Sequence, residues 1–307
     1  MKQVSIFLTV VLLSVITMLT ASAQQQQKDY TGALLWKVSG NGLAKPSYIL
    51  GTHHLIHVSF SDSISGLKDV IESTEQTVGE LVMSDMTAMQ GKMQQAAMMP
   101  TGESYKNLLS EADYTKLDNG LKEMIGAGLD NFAALKPGMI SMLYTITMYT
   151  KFYPQFNPMS HEAIDAYVQR VAKEKGKSIE GLETMEDQIY ALFDSEPLKK
   201  QAETLVCSVE NSNTSKDLLD KLNSYYRSGD LAKMYDLSFN NPNDPCPTSK
   251  EQQNALTKDR NDKWLVKLPG LMKSKSSLIA VGALHLAGED GLLYQLAKMG
   301  YKVEPVK

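Results

Sequence analysis

The chain has 307 residues, a formal net charge of −4 and 43% hydrophobic residues. A chain of this length has room for one large domain with a substantial core, or for two small domains. Its basic residues form no cluster, which argues against nucleic acid and anionic membrane surfaces as partners.

The N-terminus has the pattern of an export signal. Lys2 precedes an uncharged and almost wholly apolar stretch from Val4 to Leu19, and Ala21-Ser22-Ala23 supplies the small residues that a signal peptidase reads. The apolar stretch is short for a membrane span, and no later stretch is long and apolar enough to be one. We therefore expect residues 1–23 to be removed, which leaves an exported protein that is periplasmic or secreted.

Beyond this leader, the sequence predicts two strands joined by a glycine-rich turn. The second strand leads directly into Gly51-Thr52-His53-His54, and a helix and a third strand follow. The predicted ranges are 34–38 and 48–50 for the two strands, 40–42 for the turn, 64–73 for the helix and 76–82 for the third strand.

The C-terminal region repeats this plan. Leu278-Ile279-Ala280-Val281 is apolar at every position, which is typical of a strand buried on both faces. Gly282-Ala283-Leu284-His285 follows it, then a helix over 291–299 and a strand over 301–306. The order strand, Gly-x-x-His, helix, strand thus occurs twice, which indicates two related half-units of one sheet.

The segment between the two repeats is mostly helical, and no linker in it requires a domain boundary. We therefore predict one α+β domain over residues 24–307. Its central mixed β-sheet is built from two related strand–Gly-x-x-His–helix–strand half-units, with a large helical insertion between them. The predicted helices of the insertion are 113–125, 132–149, 161–176 and 197–235, the last interrupted near residue 228, and a short strand is predicted over 178–182.

Cys207 and Cys246 are the two cysteines of the chain. In an oxidising compartment an even pair favours a disulfide, which here closes a helical excursion. The alternative is two unpaired thiols, because a sequence does not show the distance between them.

The two Gly-x-x-His segments are the strongest candidates for a functional site. Loops at the C-terminal ends of parallel strands collect on one edge of a sheet, so adjacent half-units bring His54 and His285 together. Histidine is the commonest metal ligand and also the common acid or base at neutral pH. Glu80 follows an apolar strand and is the expected acidic partner, since a carboxylate among apolar residues is costly unless it is paired or metal-bound. The alternative is a Glu80 at an exposed strand end.

The other histidines are weaker candidates. His53 points away from His54 on an extended segment and is expected to pack or to support the site, and His57 is expected at the surface near its mouth. His161-Glu162 begins like the helical zinc-protease motif, but Asp165 stands where the second histidine is required, so we discard that motif.

These residues resemble the TraB/GumN family, which includes the Tiki metalloproteases. The resemblance covers nearly the whole chain after the leader, and it is specific because both Gly-x-x-His segments occur with further landmarks in the expected order. His53 is a small departure, because an apolar residue is usual there. The matching segments are Leu35-Trp36-Lys37-Val38, Ser47 to His54, Glu80-Leu81, Leu135-Lys136-Pro137, Ala172 to Lys177, Gly181 to Thr184, Gln188, Gly229-Asp230-Leu231, Arg260-Asn261 and Val281 to Leu286.

The resemblance implies metal-dependent peptide hydrolysis by two histidines and a glutamate, roles that fall on His54, His285 and Glu80. It also places Arg260 and Asn261 among the site residues.

Arg260 has two readings. It is expected either to bind a substrate carboxylate or a developing oxyanion, or to pair with Glu80 or Glu183 as a buried scaffold. Glu183 and Gln188 are further candidates for the cleft, with a structural ion pair as the alternative for Glu183.

We therefore predict an exported hydrolase, best described as a metal-dependent peptidase acting on a peptide or a small molecule. A divalent ion, with Mn, Co or Zn as candidates, polarises a carbonyl and lowers the pKa of its bound water. One alternative is a metal-independent esterase with a histidine as general base, oriented by Glu80. The other is a non-catalytic periplasmic binding protein for a peptide, a haem or a metal.

Overall fold

The structure is a computed structural model that describes residues 31–307. The predicted signal peptide, residues 1–23, lies outside the described residues. Within residues 31–307 the chain is α+β, with a mixed six-stranded sheet and thirteen α-helices, in agreement with the predicted class.

The six strands form one sheet in which a parallel part adjoins an antiparallel part. Four neighbouring strands run parallel, whereas β1 is antiparallel to both of its neighbours. The central β5 is buried along nearly its whole length, as its unbroken apolar sequence predicts. The strands are β1 (Leu35–Gly40), β2 (Ser47–Thr52), β3 (Gln76–Gly79), β4 (Ser178–Gly181), β5 (Ser277–Gly282) and β6 (Tyr301–Pro305), and their order is β4-β3-β5-β2-β1-β6.

The two Gly-x-x-His segments leave neighbouring parallel strands. Thr52 at the end of β2 is paired with Gly282 at the end of β5. On the other side of β5, Gly79 at the end of β3 is paired with Ala280. The C-terminal ends of these three strands therefore share one edge of the sheet, and the residues that follow them start from that edge.

The helices pack on the sheet and against one another. Several of their ends follow sequence signals: Thr184 and Asp187 form a capping box at the start of α7, and Gly229 ends α9 with a φ of 68°. The helices are α1 (Leu67–Ser73), α2 (Met86–Ala96), α3 (Tyr105–Leu108), α4 (Glu111–Ile125), α5 (Pro137–Phe152), α6 (Ile164–Glu174), α7 (Met185–Ile189), α8 (Leu198–Glu210), α9 (Ser212–Ser228), α10 (Leu231–Phe239), α11 (Lys250–Gln253), α12 (Asp259–Ser274) and α13 (Leu292–Lys298).

Two separate apolar clusters hold these elements together. The larger one surrounds the sheet and contains both tryptophans, Trp36 and Trp264. The smaller one is entirely helical, and residues such as Leu121, Ile140 and Leu205 join α4, α5 and α8. The predicted helical insertion therefore has an apolar core of its own.

Two predicted boundaries need correction. The strand predicted over 76–82 ends at Gly79, and beyond it the Gln169 side chain in α6 binds backbone groups of Leu81 and Met83. Its Nε2 donates to the Leu81 carbonyl at 2.9 Å, and its Oε1 accepts the Met83 N–H at 2.9 Å. The helical segment predicted over 197–235 is interrupted at Gly229, as expected near residue 228, but also at Asn211, so that it forms α8, α9 and the first part of α10.

Cys207 and Cys246 form a disulfide with an Sγ–Sγ distance of 2.05 Å, so the predicted pairing is confirmed. Between residues 31 and 307, no helix combines the length and the apolar character needed to cross a bilayer.

Candidate functional site

Three predicted site residues line one cleft at the shared edge of the parallel strands. His54 lies two positions beyond β2, Glu80 directly follows β3, and His285 closes a short 3-10 segment after β5. All three line a cleft of about 330 Å³, together with Arg260. A second chamber of about 200 Å³ also borders His54 and Glu80, and Asp165 forms another part of its wall.

Glycine is required where the two loops approach each other. A Cβ on Gly51 would lie 3.2 Å from the Cα of Ala283 and 3.3 Å from the Leu286 side chain. The Gly51 carbonyl also accepts a hydrogen bond from the buried Tyr226 hydroxyl at 3.1 Å. The small residue therefore fixes the distance between the ends of β2 and β5.

Arg260, in α12, is at the centre of a buried hydrogen-bonded network. Its guanidinium donates twice to Glu183, at 2.8 and 2.6 Å, and once to Glu80 Oε2 at 2.5 Å. It also donates to the Leu256 carbonyl at 3.1 Å and contacts His285 Nε2 at 3.0 Å. These five contacts engage all five guanidinium N–H groups, so none is left to donate to a substrate. The geometry therefore favours the interpretation that Arg260 is a buried structural residue paired with Glu80 and Glu183.

The network fixes the state of His285. Because Arg260 donates to Nε2, the ring proton lies on Nδ1, which donates to Asn261 Oδ1 at 2.8 Å. The Asn261 side chain also donates to the His285 carbonyl at 3.0 Å, and Trp264 packs on the ring with centroids 4.3 Å apart. Burial lowers the pKa of His285, and the Arg260 charge acts in the same direction, so the imidazole is neutral.

Glu80 is an ionised member of the same network. Its Oε1 accepts the Gly282 N–H at 2.8 Å, and Gln188 approaches Oε2 at 3.4 Å. Burial alone raises the pKa of a carboxyl group, but the Arg260 charge, His54 and the Gly282 N–H hold the pKa of Glu80 below its usual range. Glu80 is therefore ionised at neutral pH.

His54 differs from His285 because it faces the solvent of the cleft. Its Nδ1 lies 3.1 Å from Asp165 Oδ2, and its side chain is 65% exposed whereas that of Asp165 is 10% exposed. The hydrogen bond to Asp165 raises the pKa of His54, although water screens a pair that is this exposed on one side. With Nδ1 bound to a carboxylate, Nε2 is the atom that His54 presents to a ligand.

The remaining histidines support the loop that carries His54. Nδ1 of His53 accepts the Leu55 N–H at 3.2 Å, and its ring contacts Tyr226, which agrees with the predicted packing role. Burial lowers the pKa of His53 to about 4, so this ring is neutral. The His161 Nε2–H donates to the His54 carbonyl at 2.7 Å, and His57 is exposed, as expected.

The predicted metal ligands do not fit a three-ligand metal site in this arrangement. The His285 Nε2 lone pair and Glu80 Oε2 are both bound to Arg260, and the bidentate pair with Glu183, whose side chain is 1% exposed, holds that cation in place. Among the side chains of residues 31–84 and 89–307, no three His, Cys, Asp or Glu form a group able to hold a metal ion.

Sequence reasoning missed two members of the site. In the sequence, Asp165 only marks the position where the zinc-protease motif lacks its second histidine, yet in the structure its carboxylate contacts Nδ1 of His54. Trp264 carried no signal, although it packs on His285 and donates to Glu183 Oε2 at 3.1 Å. For Asp165, the sequence signal that could have indicated a role was its spacing from His161, His161-x-x-x-Asp165, at the start of an amphipathic helix.

Comparison with known proteins identifies the family of the chain. The sequence profile of the TraB/PrgY/gumN family matches residues 34–305. A curated relative named "Metalloprotease TIKI homolog", from Amphimedon queenslandica, is 21% identical over an alignment of 364 residues that covers 98% of this chain and 68% of the relative. No solved structure matches the chain. Because the family profile spans almost every described residue, the chain belongs to the TraB/PrgY/gumN family.

Proposed function

We propose that this protein is an exported hydrolase that cleaves an acyl bond of a peptide, with His54 as general base. The observation that carries the proposal is the His54–Asp165 pair, which leaves Nε2 of an exposed imidazole facing the cleft. A general base needs an accessible lone pair and a partner that fixes the ring. His285 has the partner, but Arg260 occupies its lone pair.

In the proposed reaction, a water molecule attacks the carbonyl carbon of the scissile bond while His54 Nε2 takes its proton. The C–N bond then breaks, and His54 returns the proton to the leaving amine, so the products are a carboxylic acid and an amine. Asp165 stabilises the imidazolium that forms between the two steps. Arg260 adds a fixed positive charge to the cleft wall and keeps Glu80 and His285 in place.

The character of the cleft supports a peptide as the substrate class. Part of its wall is apolar and includes Leu222, Met234 and Phe239. The relative from Amphimedon queenslandica is named a metalloprotease, and this too favours peptides. We also propose that residues 24–307 form one domain after export, with two related half-units; the family match and the disulfide support this reading.

Metal-dependent hydrolysis is the second candidate. Two observations favour it: the name of the relative, and the hydrogen bond from His54 Nδ1 to a carboxylate, which is typical of metal-ligating histidines. An ion held jointly by His54, Glu80 and His285 requires Arg260 to leave His285 Nε2.

The test uses residues 24–307, a mixture of unmodified peptides, and detection of new amino groups. We expect hydrolysis that persists after dialysis against a chelator and falls at least about 100-fold in His54→Ala. The control is Lys302→Gln, which removes an exposed charge on β6. Activity that is lost with the chelator and restored by Mn²⁺, Co²⁺ or Zn²⁺ selects the second candidate. Peptide binding without any turnover contradicts both and supports a binding protein.

A further inference from the structure

A third cavity adjoins the proposed catalytic cleft. It has a volume of about 150 Å³ and lies between the end of α5, the loop over residues 153–161 and the loop that carries His54. Pockets that enclose a whole ligand usually measure about 300–1,000 Å³, so this one suits a single terminal group of a larger ligand. Leu55 lines both this cavity and the 330 Å³ cleft, which makes the two spaces neighbours.

The charges around this cavity favour an anion. Arg227, His57 and His161 line it, and no Asp or Glu does. Asp220 does not line the cavity. It accepts a hydrogen bond from the Tyr153 hydroxyl at 2.6 Å, and Lys216 pairs with it at 2.6 Å. The cavity is therefore positive in character.

Arg227 has an unusual position among the three arginines of the chain. Arg170 pairs with Glu162 and Glu174, and Arg260 pairs with Glu80 and Glu183. Among the side chains of residues 31–84 and 89–307, no carboxylate forms an ion pair with Arg227, whose guanidinium lies 5.0 Å from the centre of the Phe60 ring. An exposed arginine fork without a carboxylate is suited to binding one from a ligand.

Aromatic rings form the rest of the wall. Tyr149 contacts Tyr153 and Phe156 with centroid distances of 4.4 and 5.0 Å, and Phe156 contacts His161 at 4.8 Å. The same His161 donates to the His54 carbonyl, so the cavity wall is bonded directly to the catalytic loop. Rings held in contact with one another offer a preformed apolar surface to a side chain.

We propose that this cavity binds the C-terminal residue of a peptide substrate, with Arg227 pairing with the terminal carboxylate and the aromatic wall packing against the last side chain. The proposal rests on the proposed function as a peptide hydrolase and names its substrate class: peptides with a free C-terminus whose last residues reach from this cavity to His54.

The experiment measures binding, so that it does not depend on turnover. Calorimetry on the wild-type chain and on His54→Ala compares N-acetyl-Ala-Phe with its C-terminal amide. A third probe, N-acetyl-Ala-Asp with an amidated C-terminus, carries its carboxylate on a side chain. We expect the free acid to bind at least about tenfold more tightly than either amide, because a charge-assisted bidentate pair is lost in both.

Variants of Arg227 identify the group responsible. Arg227→Gln should abolish the preference for the free acid, and Arg227→Lys should retain part of it because the charge remains without the fork. Lys302→Gln, an equal loss of charge on β6, should leave the preference unchanged. Thermal unfolding of each variant shows that the fold is intact.

The outcomes separate this inference from the proposed function. Equal affinity for acid and amide, no binding of the free acid, equal binding of the side-chain carboxylate, or an unchanged preference in Arg227→Gln each overturns the inference. Acid-selective binding that depends on Arg227, found in a chain that hydrolyses nothing, supports the inference while the proposed hydrolysis fails.

Discussion

Asp165 and Asn261 hold the two cleft histidines in the same way but leave them different atoms to use. Each side chain binds the Nδ1 of its histidine, at 3.1 Å for His54 and 2.8 Å for His285. The difference lies at Nε2, which contacts Arg260 in His285 and faces the cleft in His54. At the scale of single residues, the proposed chemistry therefore depends on Asp165.

Replacing Asp165 with asparagine tests this dependence. The carboxylate raises the pKa of His54, and only neutral His54 accepts a proton, so wild-type activity should rise with pH through a pKa above the ordinary value of about 6.5. In Asp165→Asn that rise should move to lower pH, and kcat/KM at its plateau should fall by about 100-fold because the neutral amide does not stabilise the imidazolium as the carboxylate does.

The measurement is kcat/KM between pH 5 and 10. Asp69→Asn, a substitution on the exposed face of α1, provides a control of equal chemistry and should reproduce the wild-type profile. A profile of Asp165→Asn that rises at the wild-type pH would show that His54 is not the titrating base.

The sequence predicted which residues of the strands reach the cleft, but not their partners. His54, Glu80 and His285 could be placed because each follows an apolar strand, and such ends share an edge in a parallel sheet. The roles of Arg260 and Asp165 depend on side-chain geometry between segments that lie 25 to 180 positions apart in the chain. A local sequence pattern does not indicate whether an arginine has an N–H group free to donate, or whether a carboxylate is hydrogen-bonded to a nitrogen of an imidazole ring.

At the scale of elements, the site depends on the spacing between β2 and the segment that follows β5. Most strands lie within a few residues of their predicted bounds, because apolar runs and glycines mark them. The end of β3 was not predictable in this way, and the backbone beyond it binds the Gln169 side chain from α6.

Gly51→Ala tests that spacing. The new Cβ would meet Ala283 and Leu286 at 3.2 to 3.3 Å, so one loop must shift by a few tenths of an ångström. We expect kcat/KM to fall at least about tenfold, because positioning errors are costly in catalysis, and the free energy of unfolding to decrease by about 1–3 kcal/mol.

Gly91→Ala is the matched control for this prediction. A Cβ on Gly91, in α2, would meet nothing within 4 Å. That variant should keep full activity and gain up to about 1 kcal/mol of stability from helix propensity. Unchanged kinetics in Gly51→Ala, measured beside this control, would show that the site tolerates a wider separation of the two loops.

At the scale of the whole molecule, the described residues form two apolar cores, and the Cys207–Cys246 disulfide links two parts of the helical region. Cys207 lies in α8, a member of the helical core, and Cys246 lies in the loop after α10, whose Leu231 and Met234 belong to the sheet core. The bond thus ties the helical core to a chain segment that returns to the sheet.

Removing this bond should loosen the helical core more than the sheet. The cysteines are 39 positions apart, and loop-closure entropy for a loop of about that length corresponds to about 4 kcal/mol.

Both tryptophans lie in the sheet core, so their fluorescence reports on the sheet, whereas far-UV circular dichroism reports mainly on the helices. In urea, Cys207→Ser/Cys246→Ser should lose its circular dichroism before its tryptophan signal, while the wild-type chain loses both together. Because His54, Glu80 and His285 follow strands of the sheet, kcat/KM in the absence of urea should stay within about twofold of wild type. Coincident transitions at the wild-type midpoint in the double variant would show that the bond does not stabilise the helical core.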